Sequence, residues 1–378
     1  MKRIEWIDWA KALAVMTVVF CHLPQSSDMF YFRYLQACII TIFFFISGYL
    51  KRDRGSQLAN WQKYRHSLIV PYLLLNLLVY PFWLLRFCLL NGTLPDLFDA
   101  LRPIVGMLLL EHENSFATVL NGPLWYLPAI LIMHLLVDCA HRTRHEHALL
   151  IGLCLISVGL YAANKYWMFL PQLTPMGIMR RLPYFYLGYV LGLWHRGELR
   201  LPFATVLPPY PANVSGLSAA GSQSPAYDAL PATTQHPTPN THHPSPITHH
   251  LPTLFIVSIA LSLALFYWHI HEPHFLLHIA LFYPVNLGFL ATVCFACMML
   301  SARPLPSWVL RMSQGTLVVI GFHTILISAA NYTVCLLGHT SDIVYSWQSS
   351  LLLTAVIVLL LYPVIIVVER HFPRLIGH

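Results

Sequence analysis

Residues 7–22 read IDWAKALAVMTVVFCH, an apolar run with Asp8 and Lys11 near its start and His22 at its far end. Each ionisable side chain costs free energy inside a bilayer, so three on one membrane-length segment call for a common cause. At about 100° and 1.5 Å per residue, Lys11 and His22 share one helical face about 16 Å apart, and Asp8 falls within about 40° of the same stripe. One face of a helix can thus turn all three toward a protein interior. The segment has no small-residue cleavage site, and its charged start interrupts the apolar core of a leader, so it reads as a retained first helix.

The rest of the chain sets this helix among others. Of 378 residues, 57% are hydrophobic and 10% charged, and the mean hydropathy is +0.61. That is the composition of an all-α polytopic membrane bundle. Apolar runs of spanning length fall at about 6–25, 34–50, 68–90, 123–140, 148–164, 178–195, 251–270, 276–300, 315–337 and 347–368, which predicts ten transmembrane helices. With the N-terminus inside, 16 of the 22 Lys and Arg residues fall on the inner side, so both termini are expected in the cytoplasm. The net charge of +7 is then a topology signal. A nucleic-acid footprint would need a basic stripe on a soluble domain, and none is present.

Residues 201–250, including PATTQHPTPNTHHPSPITHH, are rich in Pro, Ser, Thr and His. Such a tract cannot bury enough apolar surface to fold. The expected organisation is helices 1–6 over 1–200, a disordered cytoplasmic linker over 201–250, and helices 7–10 over 251–378. His242, His243, His249 and His250 read as part of that polar tract, and the Asn213-Val-Ser215 sequon is discounted because its side is cytoplasmic. The only close cysteine pair, Cys294 and Cys297, has a spacing typical of helix packing, so neither disulfides nor a metal site are expected.

Several stretches together resemble the acyltransferase 3 family of multi-pass membrane O-acyltransferases. IEWIDWAKALAVMTVVFCH (4–22) is similar to the family's first-helix signature, and TIFFFISGYLKR (41–52) to its Phe-rich Ser-Gly-Tyr segment. KYRHSLIVPYLL (63–74) resembles the family's basic approach to the third helix. GPLWYLPAILI (122–132), LPYFYLGYVLG (182–192) and SQGTLVVIGFHTIL (313–326) resemble its later Trp-aromatic-Leu, aromatic-Gly and Gly-x-x-Thr-Leu segments. The resemblance implies transfer of an acyl group, usually acetyl from acetyl-CoA on the cytoplasmic side, to a sugar hydroxyl. His22 would take the place of the family's essential histidine and Lys11 that of its first-helix basic residue. Arg65 is present in the arginine pair before the third helix, while Leu68 stands where many members carry the second.

The residue chemistry suits that activity. Acyl transfer needs a base beside the acceptor hydroxyl and cations for the phosphates of the donor. His22 is the expected base or acyl carrier, with Lys11 and Asp8 completing the first-helix catalytic set. Lys51, Arg52, Lys63 and Arg65, together with Arg54, form the densest inner basic loop, the expected donor clamp. Trp125, Tyr126 and His323 are expected pocket members. Arg180 and Arg181 oppose the charge bias at an outer helix start and point to an anionic acceptor. The expected partners are the bilayer, acyl-CoA and a glycan or lipid-linked sugar in the envelope, and the expected site is a bacterial inner membrane. The other reading is a carrier, kept open by the histidines at 22, 134, 278 and 323; coenzyme A binding separates the two.

Overall fold

The computed structural model describes residues 3–26, 29–53, 55–110, 119–167, 174–199, 246–338 and 343–376, with backbone alone at 174–176 and 246–249. Twelve α-helices follow one another: α1 (Glu5–His22), α2 (Phe30–Tyr49), α3 (Gln57–Asn91), α4 (Leu97–Leu108), α5 (Tyr126–Ala140), α6 (Glu146–Trp167), α7 (Thr174–His195), α8 (Pro246–His271), α9 (Phe275–Leu300), α10 (Ser307–Gln314), α11 (Thr316–Gly338) and α12 (Trp347–His371). There is no strand among the described residues. In a membrane this follows from the solvent, because lipid offers no partner for backbone groups and a helix satisfies its own.

Among the described residues eight helices are long and apolar enough to cross a membrane: α2, α3, α5 with the 3-10 turn before it, α6, α8, α9, α11 and α12. The two other expected spans, α1 and α7, are also helical but carry Glu5, Asp8 and Lys11, or Arg180 and Arg181. Their charges are tolerated because both helices are central. α1 packs against α2, α9, α10, α11 and α12 and buries Ala10, Ala12, Ala14, Val15, Val18 and Val19. The amphipathic helices α4 and α10 have no counterpart among the expected spans, being too short to cross. The expected linker and sequon lie outside the described residues, as does Arg54, except that α8 already begins at Pro246.

Small residues bring α2 and α7 together. A Cβ placed on Gly48 would lie 2.0 Å from the Phe185 carbonyl oxygen, on Gly188 2.1 Å from that of Phe45, and on Gly192 2.3 Å from that of Tyr49. Gly188 and Gly192 are four apart, one turn along the same face, so the two backbones touch. Elsewhere hydrogen bonds join helices across apolar surroundings: Thr41 Oγ1 donates to Asn286 Oδ1 at 2.7 Å, and Ser262 Oγ to the Val285 carbonyl at 2.9 Å.

α3 is not uniform. At Arg65–Ile69 it widens into a π-helical turn, with Val70 N–H reaching back to the Arg65 carbonyl. Pro71 follows, which has no N–H for the Ser67 carbonyl and whose ring would crowd it. The last described element is a 3-10 turn, Pro373–Ile376, packed against this π-turn and buried at Leu375 and Ile376. Trp6 meets Tyr49 edge-on at 5.4 Å. The start of α1, the end of α12 and the basic loop before α3 therefore share one end of the bundle.

Candidate functional site

At that basic end the charges are mostly paired. Asp8 is buried, accepting from Arg3 Nε at 2.5 Å, from Arg3 Nη2 at 2.9 Å and from Ser313 Oγ of α10 at 2.6 Å. A carboxylate in the first turn also suits the positive end of the helix. It lies about 21 Å from His22 along α1 and ties α1 to α10 through Ser313. Lys11, one turn on, is half-buried and makes no hydrogen bond among the described residues.

Lys51 is 2% exposed, where an exposed phosphate clamp is expected. Its Nζ donates to Tyr64 Oη at 2.5 Å and to the Asp138 carboxylate, and Tyr64 Oη donates to Asp138 Oδ2 at 2.7 Å. A buried ammonium needs such a counter-ion, and meeting that need withdraws Lys51 from the solvent-facing set. His134 stacks on Tyr64 with ring centres 5.1 Å apart and pairs through Nε2 with Ser47 Oγ at 3.0 Å. The Ser-Gly-Tyr segment, α3 and α5 are thereby joined. The loop itself is shaped by Asp53, whose carboxyl is held below the usual carboxylate range by the Asn60 side-chain amide, with the Gly55 N–H adding to it. Of the expected clamp, Arg65 is exposed with Nη2 3.4 Å from His66 Nε2, while Lys63 and Arg52 are half-buried.

At the far end of α1 His22 behaves differently. It is exposed, its Nδ1 sits 2.7 Å from the Val18 carbonyl, and its ring meets that of His323 edge-on at 4.8 Å. His323 is fully buried, its Nδ1 2.8 Å from the Val319 carbonyl and its Nε2 without a partner. A carbonyl accepts only, so each Nδ1 carries the proton and each neutral ring keeps Nε2 as its acceptor. The pair thus runs from the core, where His323 is buried, to the surface, where His22 is exposed. Asn121 meets α11 two residues before His323: its Nδ2 donates to the Gly321 carbonyl at 2.7 Å while its Oδ1 has no partner.

Asn121 precedes the 3-10 turn Gly122–Trp125, which carries Trp125 onto α7. Gly177 has no side chain to obstruct it; a Cβ there would lie 2.0 Å from the Trp125 ring. Arg181 lies 5.3 Å from the Trp125 ring centre and 6.0 Å from that of Phe44; Arg180 lies 4.0 Å from Phe282 and 5.6 Å from Tyr161. Tyr126 is buried against Phe43, 6.1 Å between ring centres.

The structure thus joins His22 to His323 and Trp125 to Arg181, and keeps Asp8 and Lys51 apart from both. Residue-level reading missed Asn121, Ser47, Tyr64 and Ser313. All are neutral polar residues; Ser47, Tyr64 and Ser313 lie inside recognised stretches and Asn121 just before one, and nothing but that position signals them. Among the described residues no three His, Cys, Asp or Glu side chains converge as metal ligands. The arrangement can therefore offer an accessible imidazole as proton acceptor, and cations at both ends.

No curated relative and no solved structure matches the chain. A family model described as an acyltransferase domain matches residues 4–370, nearly its whole length. Together with its apolar helices this shows a multi-pass membrane acyltransferase, and the chain belongs to the acyltransferase 3 family.

Proposed function

We propose that this enzyme moves an acetyl group from cytoplasmic acetyl-CoA to a hydroxyl of an envelope glycan or lipid-linked sugar, in a bacterial inner membrane. The observation that carries it is His22: an exposed imidazole whose Nδ1 is held by the Val18 carbonyl, which leaves Nε2 as the acceptor nitrogen, beside the ring of His323. In this reading Nε2 takes the hydroxyl proton as the acceptor oxygen attacks the thioester carbonyl. The C–S bond then breaks, and the departing CoA thiolate recovers the proton from the imidazolium.

Donor binding falls to Arg65, Lys63 and Arg52 at the basic end, with Lys11 facing the path toward His22. Arg65 is the exposed member, and a guanidinium binds phosphate in a forked geometry. Counting α1 and α7 gives ten spans, with the basic end and both termini cytoplasmic.

Purified protein supplied with labelled acetyl-CoA and envelope glycan tests the reading. His22→Gln should abolish transfer and retain CoA binding, because a base contributes little to ground-state donor affinity. Arg65→Ala should weaken CoA binding. Wild-type activity should also fall as pH drops below the His22 pKa, since protonation removes the base. Full turnover by His22→Gln would return His22 to a packing role.

A further inference from the structure

Arg180 and Arg181 stand apart from the other paired charges of the bundle. α7 runs from Thr174 to His195, and its far end is tied to the basic loop by Arg196, whose Nη1 and Nη2 donate to the Tyr49 and Lys51 carbonyls at 3.2 Å. Arg180 is about 22 Å from His195 along the axis, toward the end of the bundle opposite that loop. Two adjacent cations there must have a compensating partner, because burial of an unpaired charge is costly.

Among the described residues no carboxylate lies within ion-pair distance of either one. Both Nε atoms are buried and make no hydrogen bond. What holds the guanidiniums is aromatic: Phe282 and Tyr161 for Arg180, Trp125 and Phe44 for Arg181. Rings near a guanidinium act on its face and leave its N–H donors, which lie in its plane, to be satisfied by something else. Successive residues on a helix diverge by about 100°, so the two sets of donors can address neighbouring groups.

The geometry points to an oxyanion site at Arg180 and Arg181 that takes the phosphate of a membrane-borne acceptor, a lipid phosphate or diphosphate. Two positive charges are balanced by a phosphomonoester or diphosphate, whereas one carboxylate leaves a charge over. Aromatic walls beside a lipid-facing helix suit a ligand that arrives with a hydrocarbon tail; Leu155, Ile156 and Leu160 of α6, which also carries Tyr161, are exposed. Calling the ligand an acceptor rests on the acyl-transfer reading; the anion site itself does not.

The test uses purified protein in dodecyl maltoside, with farnesyl diphosphate, farnesol and inorganic pyrophosphate as probes and saturating CoA present. Farnesyl diphosphate should bind at least roughly tenfold more tightly than farnesol, and Arg180→Gln and Arg181→Gln should each weaken it by roughly tenfold. Arg181→Lys should keep part of the affinity, and thermal unfolding checks that the variants are folded. Pyrophosphate competing far less well than the farnesyl ester supports the lipid source; equal competition supports the anion site with a water-soluble source. Equal binding of farnesyl diphosphate and farnesol overturns the proposal. So does wild-type affinity in the double Gln variant, or binding of farnesyl diphosphate that appears only when CoA is left out, which would give the pair to the donor. Intact CoA binding and transfer without diphosphate binding would overturn this site alone and leave the proposed transfer standing.

Discussion

Lys51 and Asp138 show how a basic residue of a loop becomes part of the core. The ammonium is buried against a carboxylate and a tyrosine hydroxyl, so its contribution depends on both partners being present. Asp138→Asn should destabilise the protein by about 3–5 kcal/mol, because it leaves the cation buried and uncompensated, whereas the double change Lys51→Met with Asp138→Leu should recover most of the loss. Reversible unfolding in mixed detergent micelles reads both. Equal destabilisation by the single and double variants would show that the ion pair is not the relevant interaction. His22 is the opposite case, a side chain whose ring nitrogen is left open, which is why its replacement is expected to remove activity and spare the fold.

At the scale of elements, the contact of α2 with α7 rests on absent side chains. Gly188→Leu has to displace the Phe45 carbonyl and so separate the helices, for a cost of about 1–3 kcal/mol or more. Gly159→Leu is the control: that position in α6 has nothing within 4 Å of a Cβ, and stability should be unchanged. If both variants unfold together with the parent, the close approach contributes nothing to stability. The same contact bears on function, since Ser47 and His134 meet beside Gly48 and Tyr49 anchors Trp6 of α1. Separating α2 from α7 should therefore lower activity as well.

For the whole molecule the expectations concern topology and the 201–250 segment. With 16 of 22 basic residues assigned to one side, single cysteines placed near either terminus or at Ser224 should resist an impermeant maleimide in intact cells. Labelling from outside would reverse the orientation. Replacing residues 205–245 by a Gly/Ser spacer of equal length should leave transfer largely intact, because a Pro- and Ser-rich tract forms no core. Loss of activity in a normally inserted variant would give the tract a role in the reaction.

Much of the architecture was legible from composition and periodicity because the bilayer permits so little else. A run of about 20 apolar residues has to be helical, and all ten expected runs coincide with helices of the described chain. Order and spacing of short stretches were enough for the family, and the 11-residue interval placed Lys11 and His22 on one face. Tertiary structure alone decided which charges are engaged. Sequence spacing relates residues only along one helix, whereas Lys51 finds Asp138 87 positions away and Asp8 finds Ser313 305 positions away. It likewise set His22 against His323 and, among the described residues, left Arg180 and Arg181 among rings without a carboxylate. These pairings depend on which helix faces meet, and that is fixed by glycines that permit contact and by the desolvation cost that forces each buried charge to find a partner.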